Sequence, residues 1–135
     1  MPVCEKGDIH SPDRASQLRD YSGLRFGNIT PTDIDGLIEY KNRGYVILEL
    51  KYIDNEVPLG QELALERLTD DLAKSGKKSL CIIATHNTDN PEERIDAANT
   101  AIRKYRYLGK WVIPQKNLFT KDLIQRFINS MEALI

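Results

Sequence analysis

The chain is short of cysteine and histidine, lacks any long apolar run, and shows no excess of charge of either sign. Each shortage closes off a class of function. Cys4, in a polar N-terminal arm, and Cys81, in an apolar strand, have no CxxC spacing, so they supply neither a disulfide framework nor a zinc site. Both read as free thiols, Cys81 as a small core hydrophobe. His10 and His86 belong to no His-Cys or Ser-His-Asp pattern, which makes nucleophilic hydrolysis a poor candidate. His10 precedes a helix and reads as structural or exposed. His86 follows an apolar strand and reads as an ordinary loop histidine, with phosphate contact as the alternative. No apolar run approaches the roughly 18 residues of a membrane span, and the N-terminus lacks a signal-peptide core. The expectation is therefore a soluble, cytoplasmic protein with no membrane association. Lys and Arg number 19 against 20 Asp and Glu, and this near-neutral balance argues by itself against a general polyanion binder.

What is present concentrates between Pro31 and Tyr52. Two runs rich in Ile, Val, Leu and Tyr, residues 34–40 and 45–53, flank Lys41-Asn42-Arg43-Gly44, which reads as a hairpin turn. Asp33 and Asp35 stand at the start of the first run, and Glu49-Leu50-Lys51 near the end of the second. Side chains alternate across a strand, so Glu49 and Lys51 share a face with Ile47 and Ile53 while Leu48 and Leu50 take the other. Register decides whether the acids meet. If the paired residue numbers sum to 84, Asp35 sits opposite Glu49, with Cα atoms roughly 4.5–5.5 Å apart, and Asp33 falls opposite Lys51. An odd sum puts Asp35 on the wrong face.

Two carboxylates at that separation can share Mg²⁺, which takes one or two protein carboxylates plus water and substrate phosphate. Such a metal polarises a phosphoryl oxygen and lowers the pKa of water, the two requirements of phosphodiester hydrolysis. Lys51 is placed as a point charge to orient the attacking water or stabilise developing charge. A solvated Glu-x-Lys at a strand end is common by chance. Here the charges lie amid apolar neighbours, where burial without partners is costly, and that suggests a cleft.

The run Thr32-Asp33-Ile34-Asp35-Gly36-Leu37-Ile38, followed by Val46-Ile47-Leu48-Glu49-Leu50-Lys51, resembles the PD-(D/E)xK nuclease superfamily. The literal Pro-Asp pair is missing, because Pro31 precedes Asp33 by two residues. Asp35 is the favoured first acid, since its distance to Glu49 suits a tight hairpin, and Asp33 is the alternate or a more distant acid. The resemblance implies a mixed α/β sheet flanked by helices with an αβββαβ core, Mg²⁺ or Mn²⁺ at Asp35 and Glu49, DNA as substrate and a 5′-phosphate product. It spans roughly residues 13–85. It also bears on residues 61–74, whose helical periodicity puts Gln61, Ala64, Leu65, Leu68 and Leu72 on one face. Gln61 is either a satisfied helix-start amide or a group aimed at the strand ends, and the resemblance favours the second. The compact chain, with Gly27-Asn28-Ile29-Thr30-Pro31 leading into the acids, looks most like small stand-alone phage or mobile-element members. Because no target-recognition domain is visible, structure-selective cleavage like that of a Holliday-junction resolvase is expected ahead of restriction of a defined sequence. A homodimer stays open.

A basic stretch runs from Ala101 to Lys121. It holds Arg103, Lys104, Arg106, Lys110, Lys116 and Lys121 without an acid and interleaves Tyr105, Tyr107 and Trp111. That is the expected footprint of phosphate contacts with aromatic platforms. The alternative is a solvated edge hairpin whose aromatics pack on the core, with the grip coming from Arg14, Arg19 and Arg25.

The 135 residues suffice for one domain with its own core. A loose arm covers residues 1–8. Ser11-Pro12-Asp13 starts a weak helix to about Tyr21, and a connector follows over 22–31. A buried strand is expected at 80–84 and a loop at 86–91. Residues 98–107 and 110–113 form a hairpin around Leu108-Gly109, although 96–101 could equally be helical. Leu123, Ile124, Phe127, Ile128, Met131 and Leu134 mark a final helix, capped by Thr120 with Phe119 and Ile124 as a hydrophobic staple. Two other functions stay in play: a catalytically inactive nucleic-acid-binding module of the same fold, and an unrelated α/β interaction protein in which Glu49 and Lys51 form a salt bridge.

Overall fold

The computed structural model describes residues 7, 9 and 11–133, so Cys4, His10, Leu134 and most of the expected N-terminal arm lie outside the described residues. The sequence reads as one domain; contacts group the chain into two compact units, Met1–Thr32 and Asp33–Ile135. In the first unit, α1 covers only Pro12–Ala15 and does not run on to Tyr21. Ser11 takes the N-cap position without a side-chain bond, and four residues close too few hydrogen bonds to offset helix nucleation. A 3₁₀ turn, Ser22–Leu24, and a two-way bridge between Phe26 and Ile29 follow it.

The second unit is a five-stranded mixed sheet in the order β1-β2-β3-β4-β5. Its strands are β1 (Gly36–Tyr40), β2 (Gly44–Tyr52), β3 (Lys78–His86), β4 (Ala101–Tyr107) and β5 (Lys110–Val112). Between β2 and β3 lies helix α2 (Leu59–Lys74), and α3 (Thr120–Glu132) follows β5. β2 and β3 are parallel, joined through α2, and the other pairings are antiparallel. The mixed α/β class is the expected one. The strand order differs from αβββαβ, because two strands, not three, precede α2.

Apolar residues on successive positions of β2 and β3 require cover on both faces. Val46, Leu80, Ile82, Ala84 and Ile102 meet Phe127 and Met131 of α3 on one side. Ile47 and Cys81 meet Leu65 of α2 on the other. The buried line on α2 is Leu65, Thr69 and the half-buried Leu72, while Ala64 and Leu68 face solvent. The helix is thus rotated from the expected stripe, and Thr69 is tolerated inside because its hydroxyl donates to the Leu65 carbonyl at 2.7 Å.

The first hairpin turns through Lys41 and Asn42 at φ of 48° and 58°, the left-handed pair that matches strand twist. Gly44 then enters a crowded corner, where a Cβ would lie 2.5 Å from Met131 Sδ and 2.8 Å from the Lys78 carbonyl oxygen. The predicted β4–β5 hairpin forms around Leu108 and Gly109, and residues Ala97–Asn99 make a short 3₁₀ turn before it. Thr120 does not cap α3. Phe119 holds the N-cap position, and the Thr120 hydroxyl is spent on Thr100, 2.7 Å away, tying the helix start to the start of β4. Among the described residues no helix is long and apolar enough to cross a membrane.

Candidate active site

The hairpin register is the one that matters for the acids: Gly36 pairs with Leu48 and Tyr40 with Gly44, so paired numbers sum to 84. Continuing by one residue sets Asp35 across from Glu49. Its carboxylate is held there by the strand itself, since the Leu50 amide donates to Asp35 Oδ2 at 2.7 Å. Lys51, two residues beyond Glu49 on the same face, brings its ammonium to 3.4 Å from Glu49 Oε1.

Gln61 arrives from the helix. Leu65 rests on the face that carries Ile47. Gln61 lies four helical residues, about 6 Å, before Leu65, and Glu49 lies two strand residues, roughly 7 Å, beyond Ile47. The two steps match, so the amide reaches the Glu49 carboxylate. Glu49 is 3% exposed, and burial pushes its carboxyl up to about 7, with the nearby Asp35 charge adding to the rise. Lys51 and Gln61 pull in the opposite direction. Even so, Glu49 Oε2 is buried and lacks a hydrogen-bond partner of normal geometry.

Asp33 does not join this set, for no three acidic, thiol or imidazole side chains converge among the described residues. The remaining donors, two carboxylates with one orphaned buried oxygen, suit Mg²⁺ or Mn²⁺, which complete their shell with water and phosphate. They do not suit a closed zinc site. Asp35 and Glu49 are the residues that would hold the metal.

The basic stretch is placed differently from its expected role. Lys104 and Arg106 point to the α2 side, where Glu62, Glu66 and Asp70 form a column at spacing four. Lys104 pairs with Glu62. Arg106 makes a fork to Asp70 at 3.0 and 2.7 Å and lies 3.5 Å from Glu66. Trp111 lies under both cations and donates its indole N–H to Glu66 at 2.8 Å. Arg103 sits at a β-bulge, where the register of β4 shifts against Ile83 and Ala84. The bulge re-aims its guanidinium onto the Ile53 and Asn55 carbonyls, at 3.2 and 2.8 Å. Of the four expected phosphate contacts, the Lys110 side chain is the one with no hydrogen bond or ion pair among the described residues; those of Lys116 and Lys121 are likewise free. The acidic column was the sequence signal for this pairing.

His86 ends β3, edge-on to Tyr52 with ring centroids 5.7 Å apart, and its Nδ1 accepts from the Thr88 amide at 3.3 Å. Strand alternation puts it on the face opposite Lys51. No family model, no curated protein and no solved structure matches this chain.

Proposed function

We propose that the chain is a Mg²⁺- or Mn²⁺-dependent nuclease that hydrolyses DNA phosphodiester bonds. The observation that carries the reading is the convergence of Asp35, Glu49, Lys51 and Gln61 at one strand end, with a buried Glu49 oxygen left unpartnered. The burial of an acid beside another acid is costly for folding alone. A divalent cation at Asp35 and Glu49 would supply Lewis-acid polarisation of the phosphoryl group and a more acidic water. Asp35 is held in register by the Leu50 amide, so it does not need to reorganise. Lys51 directs its charge into the same space and favours the developing negative charge of phosphoryl transfer. Gln61 orients the Glu49 carboxylate.

The direct test is nicking of supercoiled plasmid in Mg²⁺ or Mn²⁺. Glu49→Gln and Lys51→Met are each expected to abolish it while thermal unfolding stays cooperative. Equal nicking by both variants and the parent rules the proposal out. The Glu49–Lys51 contact also fits a second reading, an α/β interaction protein in which the pair is a salt bridge. Calorimetry with Mn²⁺ separates the two, because the salt-bridge reading requires that no metal binds.

A further inference from the structure

A cleft of about 360 Å³ opens at the ends of β2 and β3, immediately beyond Lys51. Thr85, the residue paired with Lys51, forms part of its wall, and so does Ile53, the first residue after β2. Ligands of α/β sheets settle at the carboxyl ends of parallel strands, and β2 and β3 are the parallel pair here.

The lining is unlike a phosphate site. It contains no Lys or Arg, and its one acid, Asp96, is used up: Oδ1 accepts from the Ala98 amide at 3.1 Å and Oδ2 from the Asn99 amide group at 2.5 Å. Ile53, Ile95, Ala101 and Phe119 provide apolar walls. Phe119 is 43% exposed although it begins α3, because its neighbours Leu118 and Thr120 are the residues tied to β4. The Asn87 amide and the Asn99 carbonyl oxygen have no partner of their own among the described residues. A slot with apolar walls, the exposed Phe119 face, the half-buried His86 ring, several hydroxyl and amide groups and no Lys or Arg fits a neutral, planar, polar-edged ring. Its volume is at the small end of the roughly 300–1,000 Å³ of ligand pockets.

We infer that this cleft receives one unpaired nucleobase of the DNA strand whose phosphate lies at Asp35, Glu49 and Lys51. The inference rests on the nuclease reading for its ligand. Ile53 follows Lys51 by two residues, at most roughly 7 Å of chain, so the cleft is within reach of a nucleotide next to the one being cut. A base in a continuous duplex is stacked and cannot enter, whereas a bulged or single-stranded base enters at little cost and stacks on Phe119. Selection of unpaired nucleotides then follows from the shape of the cleft, without any separate recognition domain.

The test uses the full chain in EDTA with two DNA duplexes, one fully paired and one carrying a single unpaired 2-aminopurine. The parent is expected to bind the bulged duplex about tenfold more tightly, with a change in 2-aminopurine fluorescence. Phe119→Ala removes the stacking face and Ala101→Trp fills the slot, and each is expected to close the gap while retaining a cooperative unfolding transition. Equal binding of both duplexes by the parent overturns the inference, as does a gap that persists in either folded variant. Displacement of the bulged duplex by free 2-aminopurine riboside at equal concentration also overturns it, since the cleft would then serve a free nucleoside. An intact gap with no cleavage in Mg²⁺ or Mn²⁺ counts against the nuclease reading alone. Failure to bind either duplex removes both.

Discussion

The Leu50 amide donates to the Asp35 carboxylate across the first hairpin, at 2.7 Å, and this bond orders the candidate site before any ligand arrives. It fixes one acid against the strand that carries the other. It also occupies a single oxygen, leaving the second free for a cation. Asp35→Asn is therefore expected to lower Mn²⁺ affinity at least about tenfold, the loss of one charged ligand from a two-carboxylate site. Asp33→Asn should leave it near the parent value. Calorimetric titration of both variants decides, and the opposite ranking would reassign the first acid.

Glu49 carries a pH signature. Its carboxyl is raised in the folded chain from 4.5 to about 7, by burial first and then by Asp35. A group that holds its proton more tightly when folded contributes stability that is complete below its unfolded value and is lost as pH rises through its folded value. The metal-free protein should thus melt at lower temperature at about pH 8 than at about pH 5, with a loss of at most about 3 kcal/mol. Glu49→Gln should flatten that dependence, and Mn²⁺ should offset it at the upper end. Scanning calorimetry across this range is the check, and identical slopes for parent and variant would contradict it.

The cations of β4 are expected to behave as structural groups. Arg106→Ala strips the fork from Asp70 and leaves two acids of α2 without it, a loss of roughly 1–3 kcal/mol in urea unfolding. Lys110→Ala should leave stability unchanged and reduce the slope of log K against log salt for DNA by about one unit. A salt slope that falls for Arg106→Ala at constant stability would restore the phosphate-contact role.

Gly44 is predicted to be irreplaceable. The Lys78 carbonyl is backbone and cannot swing aside, and Met131 is buried in the α3 core, so Gly44→Ala should destabilise by about 1–3 kcal/mol. Thermal unfolding measures it, and a shift of less than a degree would show that the corner relaxes.

Much of the hairpin and its acids was legible in the residues themselves. Strand alternation, the apolar runs and a turn sequence that accepts positive φ together determine parity, and parity alone decides that Asp35 can face Glu49. The buried β3 run and the β4–β5 hairpin were readable for the same reason: a period of two is a local property. Gln61 was legible only as a polar residue at the head of a stripe, and the helix rotation that brings Leu65 and Thr69 inward came from packing. Partner choice belonged to tertiary structure throughout. The acid-free run from Arg103 onward looked unpaired because its acids stand on α2, some forty residues earlier, and only the β2-α2-β3 crossover lays that column over β4. The cap of α3 shifted to Phe119 because Thr100 competes for the Thr120 hydroxyl. The cleft beyond Lys51 is assembled from loops distant in sequence. Periodicity tells which face a side chain takes, whereas the element that covers that face is set by chain connections and by the burial each alternative achieves.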